Sequence, residues 1–224
     1  MTKIGRYVSS ILAIILLFGC EESPKLPYLG NSDVEYTEKG GVFYADTVYP
    51  VIPTFSFTNQ EGKPVTNKTY KGKMWIVEFF FTSCPTICPI MNNQLKRLHK
   101  NLSKEVNDEL QFLSFTIDPT HDNPAVLKKY QATHQVNFKN WDFLTGDEAE
   151  THRLGIQNFL TFAGKDDESA GGYAHSGSFT LVDAQGHVRG VYAVTNFDLT
   201  VNEQEYDRMV KEINILYDEH TSSK

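Results

Sequence analysis

The chain has 224 residues, 40% hydrophobic and 22% charged, ordinary values for one globular domain with appendages. A formal charge of −7 makes nucleic acid and anionic membrane surfaces poor partners. Cys20, Cys84 and Cys88 are the only cysteines, too few for a disulfide-stapled scaffold, so each needs its own account.

In chain order, Lys3 and Arg6 precede the apolar run Ile11 to Phe18, which is too short to span a bilayer comfortably. Leu17-Phe18-Gly19-Cys20 resembles a bacterial lipobox, in which Cys20 is lipidated and becomes the mature N-terminus. Residues 1–19 are therefore expected to be a lipoprotein signal peptide; the competing reading is an ordinary signal peptide or a short uncleaved anchor. Both place the rest of the chain in the cell envelope, outside the cytoplasmic membrane. Loss of residues 1–19 removes Lys3 and Arg6 and takes the charge from −7 to −9. Lipidation would leave Cys84 and Cys88 as the only thiols, in an oxidising, metal-exposed compartment.

Residues 20–48 are polar, broken by Pro and Gly, and without sustained periodicity, as expected of a tether. Tyr28, Tyr36, Phe43 and Tyr44 leave room for parts of it to dock. The folded domain is expected over residues 49–220, with a tail at 221–224. Phe55 to Thr58 alternates like an edge strand, and Asn59 to Lys63 supplies a hairpin turn. Lys73 to Phe81 is a near-continuous apolar run, the mark of a central strand covered on both faces. A helix should follow, with Pro85 early in its first turn and Met91, Leu95 and Leu98 inward. Leu110 to Ile117 reads as a strand, and Asn123-Pro124 opens a helix to about Gln135.

Trp141 to Leu144 reads as a short strand, Asp147 to about Phe159 as a helix, and Gly164 to Gly172 as a polar loop. Ser178 to Val182 and Val188 to Val194 form a hairpin, and Tyr206, Met209, Val210, Ile213 and Leu216 mark a closing helix. The order predicts an α/β sandwich with a mixed central sheet flanked by helices and an N-terminal β-hairpin. A cysteine pair at a helix start, followed by a terminal hairpin and helix, resembles the thioredoxin fold.

Cys84 and Cys88 lie four positions apart, which on a helix puts both sulfurs on one face, one turn apart. Such a pair closes a disulfide or grips a thiophilic metal, and a helix N-terminus should lower the thiol pKa. In a thioredoxin-like layout the loop before the terminal hairpin returns beside the cysteines. No proline follows Pro124, and His175 falls in that loop. Two thiolates and one imidazole suit Cu(I) and can hold Cu(II), whereas structural zinc wants four protein ligands. His121 is the alternative ligand, and Asp118 is either a turn-capping residue or a carboxylate beside the site. His99, His134, His152, His187 and His220 are expected to be solvated.

Residues 52–220 resemble the Sco/SenC family of membrane-tethered copper proteins that assemble the CuA centre of cytochrome c oxidase. The resemblance rests on Phe80-Phe81-Thr82-Ser83-Cys84-Pro85-Thr86-Ile87-Cys88-Pro89, Phe115-Thr116-Ile117-Asp118-Pro119, His175-Ser176 and Leu181-Val182-Asp183-Ala184-Gln185-Gly186. It implies copper ligation by Cys84, Cys88 and His175, with Asp118 adjacent. The leading reading is a monomeric metallochaperone rather than an enzyme, its partner the CuA-bearing oxidase subunit or its assembly factors. Ala174 departs from the pattern, because members often carry Asp before the histidine. The competing function is a thiol–disulfide oxidoreductase with Cys84 as nucleophile and Cys88 as resolving thiol. A copper or redox sensor is a further alternative.

Overall fold

The computed structural model describes residues 24–166, 173–196 and 198–222. The expected signal peptide and Cys20 lie outside these residues. Eleven strands and five α-helices occur among the described residues. The strands are β1 (Asp33–Lys39), β2 (Val42–Val48), β3 (Ser56–Asn59), β4 (Pro64–Thr66), β5 (Met74–Phe80), β6 (Leu110–Thr116), β7 (Trp141–Thr145), β8 (Ala163–Lys165), β9 (Tyr173–His175), β10 (Ser178–Val182) and β11 (Val188–Ala193). The helices are α1 (Ile87–Asn101), α2 (Lys104–Glu109), α3 (Pro124–His134), α4 (Glu148–Arg153), which runs on into a π-helical turn at Leu154–Asn158, and α5 (Glu203–Ser222). None of them is long and apolar enough to cross a membrane.

Seven strands form one mixed sheet in the order β11-β10-β5-β6-β7-β3-β4, with β5, β6 and β7 parallel and the rest antiparallel. β5 lies inside the sheet, between β10 and β6, and every residue of Met-Trp-Ile-Val-Glu-Phe-Phe is buried, which only a strand covered on both faces permits. The two faces alternate as the pleat requires. Phe80 packs on Tyr130 of α3, with ring centroids 5.3 Å apart, and Phe79 packs on Phe115 and on Phe159 beyond α4. Full burial of each such ring stabilises the fold by roughly 1.5–3 kcal/mol.

α1 turns Cys88, Met91, Leu95 and Leu98 inward at helical spacing. α5 does the same with Tyr206, Met209, Ile213 and Leu216, while Val210 is half-buried. Asn123 caps α3, its Oδ1 accepting from the Ala125 and Val126 amides, and Pro124 fills the first turn where its missing N–H costs nothing. The layout is the expected thioredoxin-like one, with β3–β4 as the N-terminal hairpin of the domain.

Two features differ from the sequence reading. Residues 33–48, expected to lack regular structure, form the antiparallel pair β1–β2 around Gly40-Gly41. Both glycines have positive φ, 61° and 79°, the backbone a two-residue hairpin turn demands. Every residue of the pair is exposed, so no buried face announces it in the sequence. The segment before it is docked. Leu26 is buried, the Leu29 amide bonds the Val188 carbonyl at 2.8 Å, and Arg189 donates to the Leu26 and Pro27 carbonyls. Secondly, part of the expected loop at 164–172 belongs to the short pair β8–β9, with Ala163 opposite His175.

Candidate metal centre

β5 ends at Phe80, and the chain turns through Phe81 to Thr86 before α1 begins at Ile87. Pro85 therefore precedes the helix, and Thr86 occupies the cap position without a side-chain capping bond. Cys84 sits in the turn, its amide bonding the Phe81 carbonyl at 3.2 Å, and Cys88 sits in the first turn of α1. The sulfurs thus do not share a helical face as expected. The turn folds Cys84 back over the helix start, which brings the two thiols within hydrogen-bonding reach of each other. Both thiols are buried, Cys88 completely and Cys84 with 8% exposure, so Cys84 is the one that meets the outside. Thr86 Oγ1 stands 3.8 Å from the Cys84 sulfur.

The expectation that the helix start lowers the thiol pKa fails for Cys88. Burial pushes it well above its ordinary value, the hydrogen bond and charge of Cys84 push it further, and a backbone hydrogen bond from Phe81 only partly offsets them. Desolvation of a thiolate at full burial outweighs the dipole of the helix end. Burial favours the protonated Cys88 thiol, which must lose its proton to bind a metal or to enter a disulfide.

Cys84 opens on a cavity of about 390 Å³ walled by Phe81, Ile87, Tyr173, Ala174 and Ser176. Ala174 and Ser176 flank His175, so the backbone carries His175 to the wall that faces Cys84. The His175 side chain itself lies outside what the structure describes. Gly177 makes the close approach of this wall possible, since a Cβ there would stand 2.7 Å from Thr195 Cβ and 2.9 Å from Ile87 Cδ1. Among the described residues no three His, Cys, Asp or Glu side chains come together as a metal cluster.

Asp118 lies in the turn after β6 and is half-buried. Its Oδ1 accepts from Thr120 Oγ1 at 2.8 Å and from the Tyr173 phenol at 3.3 Å, and the same phenol lies 3.3 Å from Glu148. Burial and these two carboxylates push the Tyr173 hydroxyl up to about 12, so it donates at neutral pH. Asp118 is thereby tied to β9 two residues before His175, a link that does not need the acid missing at Ala174. Asn123, not Asp118, caps α3. His121 is exposed.

The other histidines are engaged and not merely solvated. His99 bonds Asn140 and stacks on Phe138, His134 packs on Tyr130, and His152 bonds the Ile117 carbonyl. His187 bonds the Pro50 carbonyl, and His220 pairs with Glu109. Periodicity placed them on polar faces, but a half-buried imidazole at a domain surface finds a partner for its ring nitrogens.

Two buried acids near the cysteines were missed in the sequence. Glu78, in the middle of β5, accepts from Ser114 Oγ at 2.6 Å while its other oxygen has no partner among the described residues, and burial pushes it up to about 8. Asp122, fully buried, accepts from the Thr82 amide at 2.9 Å, from the Thr82 hydroxyl and from the Thr116 hydroxyl. A charge inside the apolar run marks Glu78 in the sequence. Asp122 carries no such mark, since it lies among turn formers.

The SCO1/SenC family model matches residues 45–211. Among solved structures, a SCO1/SenC family lipoprotein from Bacillus anthracis is 33% identical, with a TM-score of 0.64 over 74% of this chain and 94% of its own. BsSco, described as a member of the Sco family of cytochrome c oxidase assembly proteins with a disulfide switch, is 33% identical, with a TM-score of 0.61 over 75% and 93%. Yeast Sco1 with copper bound is 26% identical, with a TM-score of 0.57 over 73% and 88%.

Proposed function

This chain belongs to the SCO1/SenC family, and from that premise we propose that it is a lipid-anchored copper metallochaperone of the bacterial cell envelope. It carries copper as cargo to the CuA-bearing subunit of cytochrome c oxidase. Cys84, Cys88 and His175 hold the ion, and Cys20 carries the anchor. The observation that supports this most is the pair of buried thiols within hydrogen-bonding reach of each other, with Cys84 lining a cavity whose wall also includes both chain neighbours of His175.

The donor set fits the metal. Two sulfurs and an imidazole in apolar surroundings suit Cu(I) and also tolerate Cu(II). Copper bound here would be held by thiolates shielded from bulk oxidants by Phe81 and Ile87. The remaining steps belong to the protein. Cys88 gives up its proton on loading, and Cys84, at the cavity mouth, is the sulfur a partner reaches first. Oxidation of the pair to a disulfide removes both thiolate ligands, so the same residues can act as a release switch. The solved relative with a disulfide switch supports this second behaviour.

The test is a copper titration of the full chain in detergent, with both thiols reduced. One equivalent should bind tightly in the wild type and be lost in Cys84→Ser, Cys88→Ser and His175→Ala. Less than one equivalent, or tight binding untouched by His175→Ala, rejects the metallochaperone. Thiol–disulfide exchange that survives His175→Ala while either serine variant abolishes it would point to an oxidoreductase instead.

A further inference from the structure

The turn between β6 and α3 reaches the cysteine segment through the Asp122 side chain. Asp122 is fully buried, yet among the described residues no Lys or Arg pairs with it. Its oxygens are instead used on three donors from two elements. Oδ2 takes the Thr82 amide at 2.9 Å and the Thr116 hydroxyl at 2.5 Å, and Oδ1 takes the Thr82 hydroxyl. A buried acid is costly unless such bonds satisfy it, and here they tie the Thr82 segment to the end of β6.

The segment held is the stretch between β5 and α1. Within it the Cys84 amide makes a 3.2 Å turn bond to the Phe81 carbonyl, and Thr86 makes no side-chain capping bond among the described residues. Thr82, two residues before Cys84, is fastened at both its backbone and its side chain. On the Asp122 side the anchor is itself rigid. The Asp122 amide bonds the Asp118 carbonyl at 2.9 Å, and Thr116 is buried in the last position of β6.

We propose that Asp122 is a positioning residue for Cys84. By clamping Thr82 to the end of β6, it holds the turn in the one conformation that places the Cys84 sulfur beside Cys88. The role is geometric and does not depend on the charge of the carboxylate. An amide of the same shape can reproduce it: the carboxamide oxygen keeps the Thr82 amide and the Thr116 hydroxyl. The carboxamide NH2 then donates to the Thr82 hydroxyl, which rotates to accept.

The copper readout of this inference rests on the proposed function, whereas a second readout, the dithiol–disulfide equilibrium, does not. In the latter, Cys84 and Cys88 pass two electrons and two protons to oxidised glutathione, giving the intramolecular disulfide and two reduced glutathiones. The experiment compares the full-length wild type with Asp122→Ala, Asp122→Asn and Thr82→Val. Copper(I) affinity is measured by chelator competition, and the disulfide equilibrium in glutathione buffers by thiol alkylation.

Asp122→Ala should weaken copper binding by roughly 10–100-fold, the usual cost of losing a residue that orients a ligand. It should also shift the equilibrium toward the dithiol by about tenfold, close to 30 mV for a two-electron couple. Asp122→Asn should restore both values to near wild type, and Thr82→Val should fall between. A folded Asp122→Ala with wild-type values in both assays overturns the proposal. So does an Asp122→Asn as damaged as the alanine variant, which would assign the effect to charge. Should Asp122→Ala not fold, wild-type values in Thr82→Val overturn it. Should the wild type bind no copper, the metallochaperone reading fails and the disulfide equilibrium alone decides the role of Asp122.

Discussion

Glu78→Gln offers a quantitative test of the buried sheet. Glu78 is fully buried, receives one hydrogen bond from Ser114, and has a second oxygen with no partner among the described residues. The Trp141 indole in turn donates to Ser114 at 2.8 Å, which fixes that hydroxyl toward the carboxyl. Desolvation raises the pKa from an ordinary 4.5 to about 8, and the Ser114 bond lowers it only in part. The folded state therefore keeps a proton that the unfolded state has already released. With the folded pKa above the unfolded one, the protonated acid's stabilising share is complete below pH 4.5 and disappears as pH rises to 8. At about 1.4 kcal/mol per unit, the loss between pH 5 and pH 8.5 is on the order of 4 kcal/mol. Gln does not titrate and lacks this slope. Urea unfolding of the metal-free dithiol protein at several pH values measures the difference between variant and wild type, in which other titrating groups cancel. Gln should gain on the wild type by several kcal/mol across that range. Parallel pH profiles for the two proteins would refute the assignment of a neutral Glu78.

Arg189 is buried against Asp183 at 3.1 Å and Glu219 at 2.7 Å, and holds the carbonyls of Leu26 and Pro27. Arg189→Met should cost about 3–5 kcal/mol in urea unfolding, as loss of one member of a buried ion cluster does, and should make the chain near residues 24–29 accessible to protease. An unchanged midpoint and cleavage pattern would contradict this. Because burial favours the protonated Cys88 thiol, copper must displace that proton. Copper loading of the reduced wild type between pH 6 and 8 should release at least about one proton per ion, measured by pH-stat titration in weak buffer. Loading with no proton release would mean that Cys88 is already ionised.

Legibility in the sequence followed burial. β5 could be read from its apolar run because both of its faces are covered, and α1 and α5 from inward residues at helical spacing. β1–β2 could not be read, because a ribbon exposed on every residue leaves no apolar stripe, and α2, six residues long, is too short for one. The cysteine pair was conspicuous, but its arrangement was not. Spacing suggested two sulfurs on one helix face, whereas Pro85 and the turn before Ile87 place Cys84 ahead of the helix. The histidines assigned to water have partners contributed by residues as distant as Pro50 and Ile117.

Residue chemistry and local periodicity alone gave an α/β element order and two redox-capable sulfurs beside a helix start, since both are properties of neighbouring residues; the thioredoxin-like layout entered as a resemblance of that order. Whether those sulfurs are ionised, and what braces them, depends on the solvent excluded around them and on contacts between segments far apart in the chain. Desolvation at Cys88 and Glu78, and the reach of Asp122 across forty residues to Thr82, arise only when β5, β6 and α1 pack together.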